Sequence, residues 1–226
     1  MSNVVSRPEI PSELTRNLSN ELDKVVMRPL FVSNESRPGA YWLEPNTVEV
    51  AGRIRVFARC SIDRYSTANI AAVLDYDTEA NHLTFTQFSS WPGAHCKFFV
   101  MNDQPNRMYW MLSNLVTNSQ DLLGWGKRMK ETGYRTGPGN ERRWLFLHYS
   151  IDCLNWFPAG CVARWHDSVH RSFMYPSAVF AGEDMVILSR TSKDAADQHD
   201  ADLCTIHRIR NFRDLAMDLH KGGLLT

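Results

Sequence analysis

No stretch of this 226-residue chain approaches the ~18 consecutive apolar residues that a membrane-spanning helix needs. An excess of either charge is also missing, because Lys plus Arg and Asp plus Glu each number 25 and the formal net charge is zero. A neutral chain has no electrostatic reason to collect on nucleic acid or on an anionic membrane, and we expect neither as a partner. The five cysteines show no Cys-x-x-Cys spacing, which favours reduced, mostly buried thiols over a disulfide or metal role.

The N-terminal residues do not indicate where in the cell the protein is located. Residues 1–17 lack a basic region followed by an apolar region, so the sequence predicts no signal peptide. Location stays open: cytoplasmic for the chain as it stands, exported if a longer parent exists. Residues 12–26 place apolar side chains at helical spacing after Ser12, which predicts one short amphipathic helix within an N-terminal segment, residues 1–30.

Beyond that helix the chain changes to the period-two alternation of β-strands and repeats one plan. Three segments each contain a strand, a turn and a second strand that ends in a polar residue: 44–61, 97–114 and 175–192. Each segment is followed by a further predicted strand pair: 68–88, 143–162 and 201–215. A unit of about 50 residues with four strands is typical of a β-propeller blade. Residues 31–226 are therefore predicted to be an all-β region of about three four-stranded blades, with a stacked β-sandwich as the alternative.

Three blades are too few to close a propeller, which needs about four or more. The chain is then either part of a longer protein or completed by self-association with another copy. An insertion at residues 115–141, rich in Gly, Asn and Thr, lengthens the second unit. If the chain has a structural role in an assembly, this insertion is where a protein partner would bind.

Blade geometry predicts that polar residues from all three units meet at one mouth of the propeller. The first strand of each blade lines the central channel, and a hairpin brings the start of that strand beside the end of the second strand. Six residues occupy these positions: Glu44, Lys97 and Tyr175 open the first strands, and Arg59, Asn114 and Arg190 close the second strands.

The stretch Ser150–Trp156 resembles the Asp-box, a Ser-x-Asp-x-Gly-x-x-Trp turn between the third and fourth strands of a blade. Asp152 keeps its place, but Cys153 and Leu154 occupy the Gly region and Trp156 comes one residue early. The box is a structural turn whose aspartate binds backbone amides. It indicates a propeller and says nothing about activity.

Four further motifs are similar, in order, to those in the C-terminal half of sialidases (neuraminidases) of the Asp-box propeller type. They span residues 44–192, about two thirds of the chain. They are Glu44 to Arg59 with Gly52 in the turn, Gly93-Ala-His-Cys96, Ser113-Asn114 followed by Arg142 eight residues before Ser150, and Tyr175-Pro-Ser177.

This resemblance implies an exo-glycosidase that acts on a terminal sialic acid or a related anionic sugar, with no metal or organic cofactor. Arg59 and Arg142 match two of the family's three arginines, whose planar guanidinium groups clamp the substrate carboxylate. Tyr175 matches the family's nucleophile, which is a tyrosine. A neutral tyrosine suits this role because an anionic nucleophile would repel an anionic substrate. A phenol has a pKa of about 10 and needs an adjacent base, and Glu44 would be that base.

The remaining candidate substrate-binding residues are Lys97, Asn114, Arg190 and Asp200. Arg190 stands where many sialidases have a Leu-Tyr-Glu ending, and Asp200 follows the second strand of the last blade. For the segment Gln198–Asp202 a metal site is one interpretation, and a loop whose Asp and His cap backbone amides is the favoured one.

The chain also departs from the family pattern. The family's first arginine and its aspartic acid/base belong to N-terminal blades, and Arg28 lies too close to Glu44 to be that arginine. The alternative function is therefore a non-catalytic glycan-binding or truncated propeller module. Plainer alternatives are ordinary rim residues for Tyr175 and Glu44 and a solvated loop residue for Arg142.

Overall fold

The computed structural model of the protein describes residues 41–61, 69–116, 141–166 and 170–217, together with Lys127 and Glu131. The predicted N-terminal helix and most of the insertion at 115–141 lie outside the described residues. Within those ranges the protein is all-β, with three antiparallel sheets of three or four strands. No helix in the described part of the chain is long and apolar enough to cross a membrane.

The strands follow one another in the sheets in chain order. The first sheet contains β1 (Tyr41–Val50), β2 (Arg53–Ser61), β3 (Ile70–Asp77) and β4 (His82–Ser90). The second sheet contains β5 (Phe99–Asp103), β6 (Met108–Asn114), β7 (Trp144–Ser150) and β8 (Phe157–Arg164). The third sheet contains β9 (Ser172–Ala181), β10 (Asp184–Ser192) and β11 (Leu203–Ile209). Short 3-10 helices occupy Gln104–Asn106 and Phe212–Leu215.

The first strands of the three sheets lie side by side, since β1 packs beside β5 and β5 beside β9. This arrangement of up-and-down sheets around their innermost strands is that of propeller blades, and the predicted all-β, blade-like fold is confirmed. Two apolar cores fill the spaces between the sheets. In the first core Trp91 is fully buried, with ring centroids 4.6 Å from Phe57 and 5.1 Å from both Phe98 and Trp156.

The predicted hairpin at the start of the repeat is formed by β1 and β2. Its two turn residues, Ala51 and Gly52, both have positive φ, 50° and 77°. That conformation matches the right-handed twist of the flanking strands, and glycine adopts it without steric cost. Val48 and Val50 alternate with exposed neighbours, so the hairpin buries one face against the second sheet.

Two innermost strands carry a β-bulge whose second residue is a proline. In β1 the pairing shifts between Leu43 and Asn46, so Glu44 and Pro45 together face one residue of β2. In β9 Tyr175 and Pro176 likewise face one residue of β10. Proline has no N–H to donate to the ladder, and a bulge is where a strand tolerates it. A bulge also redirects the side chain of the residue before the proline, here Glu44 in β1 and Tyr175 in β9.

The turn Ser150–Trp156 joins β7 to β8 and is built on its two polar side chains. Asp152 Oδ1 accepts hydrogen bonds from the amides of Leu154 at 2.9 Å and Asn155 at 2.8 Å. Ser150 Oγ accepts one from the amide of Cys153 at 2.9 Å. Burial opposes ionisation of Asp152, but hydrogen bonds from the amides of Asn155 and Leu154 and from the side chains of Asn155 and Ser150 outweigh it and lower the pKa of the carboxyl.

One strand prediction is wrong. The segment 201–215 was expected to form a strand pair, but only β11 forms, and a 3-10 helix follows it. Asn211 adopts a left-handed conformation with φ of 47°, which turns the chain. Phe212 is then fully buried, with its ring 4.9 Å from Trp110 and 5.2 Å from Phe180. The chain thus turns inward after β11 and places this aromatic ring in the second core.

All five cysteines are free thiols. Three are buried, and Cys161 and Cys204 are exposed.

We expect Gly93→Ala to destabilise the protein strongly. Gly93 has φ of 83°, and an added Cβ would lie 2.6 Å from Ser113 Cβ and closer still to the Asn114 carbonyl oxygen. The loss should be about 2 kcal/mol or more in the free energy of unfolding, measured by urea denaturation. Gly160→Ala is the matched control, because its Cβ meets nothing within 4 Å; equal losses in both variants would contradict this account.

Stability should fall in acid because of His148. Burial lowers the pKa of His148 to about 4 from 6.5. Between these pH values the unfolded chain binds a proton that the folded protein does not, so the free energy of unfolding decreases as the pH falls from 6.5 to 4. We expect a loss of about 3 kcal/mol from this group. Urea denaturation at pH 7 and pH 4 should show a smaller loss in His148→Phe; an unchanged loss would refute the assignment.

Candidate functional site

Glu44 stands at the centre of a polar cluster on the rim formed by the three sheets. Its Oε2 accepts a hydrogen bond from Arg59 Nη1 at 2.9 Å, and its Oε1 accepts one from the Tyr175 hydroxyl at 3.2 Å. Arg59 lies on the adjacent strand β2, whereas Tyr175 belongs to β9, 131 residues further along the chain. One carboxylate thus joins the first sheet to the third.

Tyr175 is held in a strained backbone conformation. Its φ of 50° lies in the left-handed region, which is unfavourable for a residue with a bulky side chain. Such strain persists only where surrounding structure imposes it, and it is common at functional sites. Here the bulge at Pro176 imposes it and directs the phenol towards Glu44. Ser189, opposite the bulge, fixes it by donating a hydrogen bond to the Met174 carbonyl at 3.2 Å.

Three further cations surround the phenol ring. The side-chain charges of Arg190, Arg142 and Lys97 lie 5.2, 5.4 and 5.7 Å from the ring centroid of Tyr175. These distances are within the range of cation–π attraction. Together with Arg59, the cluster holds four cations around one carboxylate, an excess of positive charge that suits an anionic ligand.

Opposing influences act on the pKa of the Tyr175 phenol. Burial raises the pKa of Tyr175, Arg142 opposes it, and the charge of Glu44 together with its hydrogen bond raises it further. The net shift raises the pKa of Tyr175, so the phenol keeps its proton at neutral pH and donates its hydrogen bond to Glu44.

Arg142 and Arg143 have separate partners. The guanidinium of Arg143 binds the buried carboxylate of Glu141, with an Nη2–Oε1 distance of 2.6 Å. Arg142 is turned to the opposite side, over the Tyr175 ring, and is only 3 % exposed. Its backbone amide donates to Gln198 Oε1 at 2.6 Å. The alternative of a solvated loop residue is therefore wrong for Arg142.

A buried thiol lies beneath the arginines. Burial opposes ionisation of Cys96, but the charges of Arg142, His95 and Arg59, with a hydrogen bond from His95, outweigh it and lower the pKa of the thiol to about 7. His95 is fully buried, and its Nε2 donates to the Glu141 carbonyl at 2.8 Å. A partly ionised Cys96 would balance some of the positive charge of the two arginines from below.

Two candidate residues are placed differently from the rest. Asn114 does not face the mouth: it is fully buried, and its amide nitrogen lies 2.7, 3.1 and 3.4 Å from the carbonyl oxygens of Phe173, Trp144 and Arg142. It ties the second sheet to β9. Asp200 is exposed in the turn after β10, and its charge acts on the neighbouring His199.

The residue that the sequence-based argument missed is His199. Its Nε2 lies 3.4 Å from the Tyr175 hydroxyl, and the two rings meet edge to face. The favoured prediction of a capping loop is confirmed for Asp202, whose carboxylate oxygens accept hydrogen bonds from the amides of Lys193 and Asp194, both at 2.8 Å. Asp197, just before the segment, caps it as well: its Oδ1 accepts hydrogen bonds from the amides of His199 and Asp200 at 2.6 and 3.2 Å. Within the described ranges no group of three or more His, Cys, Asp or Glu is placed to hold a metal ion.

Fold and site together define an all-β, blade-built protein whose rim carries a tyrosine–carboxylate pair among cations. No family model and no curated protein sequence matches the chain. Among solved structures it is similar to a Trypanosoma rangeli sialidase in complex with sialic acid, at 15 % identity and a TM-score of 0.48, covering 81 % of this chain and 25 % of the sialidase. It is also similar to a GH43 β-1,3-galactosidase, at 11 % identity and a TM-score of 0.33, covering 78 % of this chain and 45 % of that enzyme. The chain thus spans a quarter of the one and under half of the other, and the case for function rests on the side chains.

We expect Glu44→Gln to lower the pKa of the Tyr175 phenol, because the charge of Glu44 and its hydrogen bond raise it. Carbon-13 NMR of Cζ-labelled tyrosine, titrated upward from pH 7, measures this pKa, and Tyr175→Phe identifies the resonance. Glu49→Gln removes a glutamate that lies on the same strand and contacts Gln104 instead. It should leave the titration unchanged; a similar response in both variants would show that Glu44 does not act on Tyr175.

Proposed function

We propose that the protein is a sialidase-like glycoside hydrolase that acts on a terminal sialic acid or a related anionic sugar. The observation that carries the proposal is the hydrogen bond of 3.2 Å between Tyr175 and Glu44 inside a ring of cations. A neutral tyrosine with an adjacent base is the nucleophile that an anionic sugar tolerates.

In the proposed reaction the Tyr175 oxygen attacks the anomeric carbon while its proton passes to Glu44. The bond from that carbon to the aglycone oxygen breaks, and the aglycone leaves with the electron pair. Water then attacks the anomeric carbon and the tyrosyl–sugar bond breaks, with Glu44 returning the phenol proton to the Tyr175 oxygen. The second proton of the water passes to solvent, where it balances the charge of the released aglycone anion. A covalent intermediate of this kind divides one difficult displacement into two easier ones.

The cations have the task of binding the sugar carboxylate. We propose that Arg142 and Arg190 contact it with Arg59, and that Lys97 adds charge beside them. Planar guanidinium groups suit this task because they can donate two parallel hydrogen bonds to a carboxylate. For Asn114 we propose a positioning role, and for Asp200 a contact with sugar hydroxyl groups at the edge of the mouth.

The turn Ser150–Trp156 supports the same family assignment. The amides bound by Asp152 and the packing of Trp156 on Trp91 fit an Asp-box with altered residues in its Gly region. Self-association that completes the ring remains a prediction.

The second candidate is a glycan-binding module that does not cleave its ligand. It is favoured by one observation: in the described ranges the hydroxyl of Tyr175 has one carboxylate partner, Glu44, and that carboxylate is already paired with Arg59.

We expect the protein to release the aglycone from an aryl α-sialoside with a fluorogenic leaving group, and Tyr175→Phe to lose this turnover. Such an aglycone leaves as a stable phenolate, so the assay tests the nucleophile without depending on a general acid. Tyr76→Phe is the matched control, because the Tyr76 hydroxyl binds Asn81 at a hairpin of the first sheet.

Three outcomes are informative. Turnover that survives in Tyr175→Phe would remove the tyrosine mechanism. Absence of turnover in the unmodified protein, with binding of free sialic acid by isothermal titration calorimetry, would establish the second candidate. Absence of both would refute the two proposals.

A further inference from the structure

His199 has no part in the function proposed so far, although its side chain, like that of Glu44, lies in hydrogen-bond range of the Tyr175 hydroxyl. Its Nε2 lies 3.4 Å from that oxygen, opposite Glu44 Oε1 at 3.2 Å. The imidazole ring stands edge-on to the phenol, with an interplanar angle of 77° and a centroid distance of 6.1 Å.

The direction of the two hydrogen bonds follows from the chemistry of the groups. A carboxylate only accepts, so the single phenol hydrogen is donated to Glu44. Towards His199 the Tyr175 oxygen can then only accept. A hydrogen bond between the two groups therefore requires the imidazole tautomer with its proton on Nε2, which makes the imidazole a donor to the oxygen that would attack the sugar.

The turn that carries His199 is fixed on several sides. Asp197 Oδ1 accepts the amide hydrogen of His199 at 2.6 Å, and Arg190 Nη2 donates to the His199 carbonyl at 3.2 Å. Its neighbour Gln198 is fully buried, with its side chain bound to the Arg142 amide and its carbonyl to the Ser172 hydroxyl at 2.8 Å. These bonds fix the backbone of the turn at His199, which limits where its exposed side chain can lie and reduces the reorganisation that a reaction would need.

We propose that His199 is a catalytic residue that donates a hydrogen bond from Nε2 to Tyr175 Oη and stabilises the phenolate as its proton passes to Glu44. This inference rests on the proposed role of Tyr175 as the nucleophile. In the ground state the hydrogen bond is long and joins two neutral groups. It strengthens when negative charge develops on the phenol oxygen, because hydrogen bonds to ionised acceptors are shorter and roughly twice as strong.

The electrostatic surroundings are consistent with this role. Partial burial, followed by the charges of Arg142 and Arg190, lowers the pKa of His199, while Asp197 and Asp200 oppose the shift. The imidazole is then neutral at pH 7. A neutral donor stabilises the phenolate without placing a further positive charge beside Glu44, the base that must accept the proton.

The test uses two replacements of His199 and one control in the full chain. His199→Phe keeps a flat ring against Tyr175 but removes the donor, and His199→Gln restores an N–H at a similar reach. His82→Phe is the control, because it makes the same change at an exposed site on β4. Circular dichroism and thermal unfolding confirm that the variants fold.

The first readout is the pKa of the Tyr175 phenol by carbon-13 NMR, with the resonance identified by Tyr175→Phe. We expect a higher pKa in His199→Phe than in the unmodified protein, and a return towards the original value in His199→Gln. A residue with only a structural role would not give this rescue. Identical Tyr175 titrations in all of these proteins would overturn the proposal.

The second readout is turnover of the aryl α-sialoside. In His199→Phe we expect kcat to fall about tenfold with KM nearly unchanged, the loss of one modest hydrogen bond in the transition state. His199→Gln should recover most of the rate, and a fall confined to KM would contradict the assignment. If no protein hydrolyses the substrate, the proposed function fails, and the NMR comparison still decides whether His199 donates to Tyr175.

Discussion

The arrangement of the rim depends on how one carboxylate shares its two oxygens. Glu44 binds Arg59 with one oxygen and the Tyr175 hydroxyl with the other. The first bond fixes the direction of the carboxylate within its own hairpin, and the second joins it to a residue from another sheet. A solvated glutamate would have many rotamers available and would lose entropy on adopting this one. The ion pair thus orients the carboxylate for the proposed role as a base before any ligand arrives.

The two side chains of the proposed catalytic pair also share a local backbone feature. Glu44 and Tyr175 each precede a proline, and each lies in a bulge on the innermost strand of its sheet. In a regular strand side chains alternate between the two faces, each packed against a neighbouring sheet. A bulge breaks that alternation at one point and allows a side chain to leave the layer. The departure from the family motif at Pro176 is therefore compatible with the role proposed for Tyr175.

Local pattern predicted most of the architecture and only part of the site. Strand alternation and the Ala51-Gly52 turn are properties of neighbouring residues, so the hairpins could be predicted from the sequence, as could the meeting of strand ends at one rim. The 3-10 helix that replaces the predicted second strand of segment 201–215 could not, because burial of Phe212 against Trp110 is a long-range contact. Asn114 was expected at the mouth, but a polar residue at a strand end gives no sign of which way it faces.

The side chains that complete the site were the least predictable. The direction of His199 depends on a turn capped by Asp197 and on the burial of Gln198, and neither is visible as a periodic pattern. The lowered pKa of the Cys96 thiol depends on which cations the fold brings close to it. Such positions are set by tertiary packing, and a sequence-based argument can identify them only as polar residues close to a predicted strand end.

The division of the site between the first and third sheets has a consequence for folding. Glu44 and Tyr175 lie on sheets separated by the whole of the second sheet, and Asn114 links that middle sheet to β9. No single blade, and no pair of adjacent blades, contains both residues. Partial opening of the middle blade would therefore separate Glu44 from Tyr175 while leaving much of the strand content intact. The tyrosine–carboxylate contact is a property of the cooperative three-sheet unit, and its formation reports that the unit has assembled.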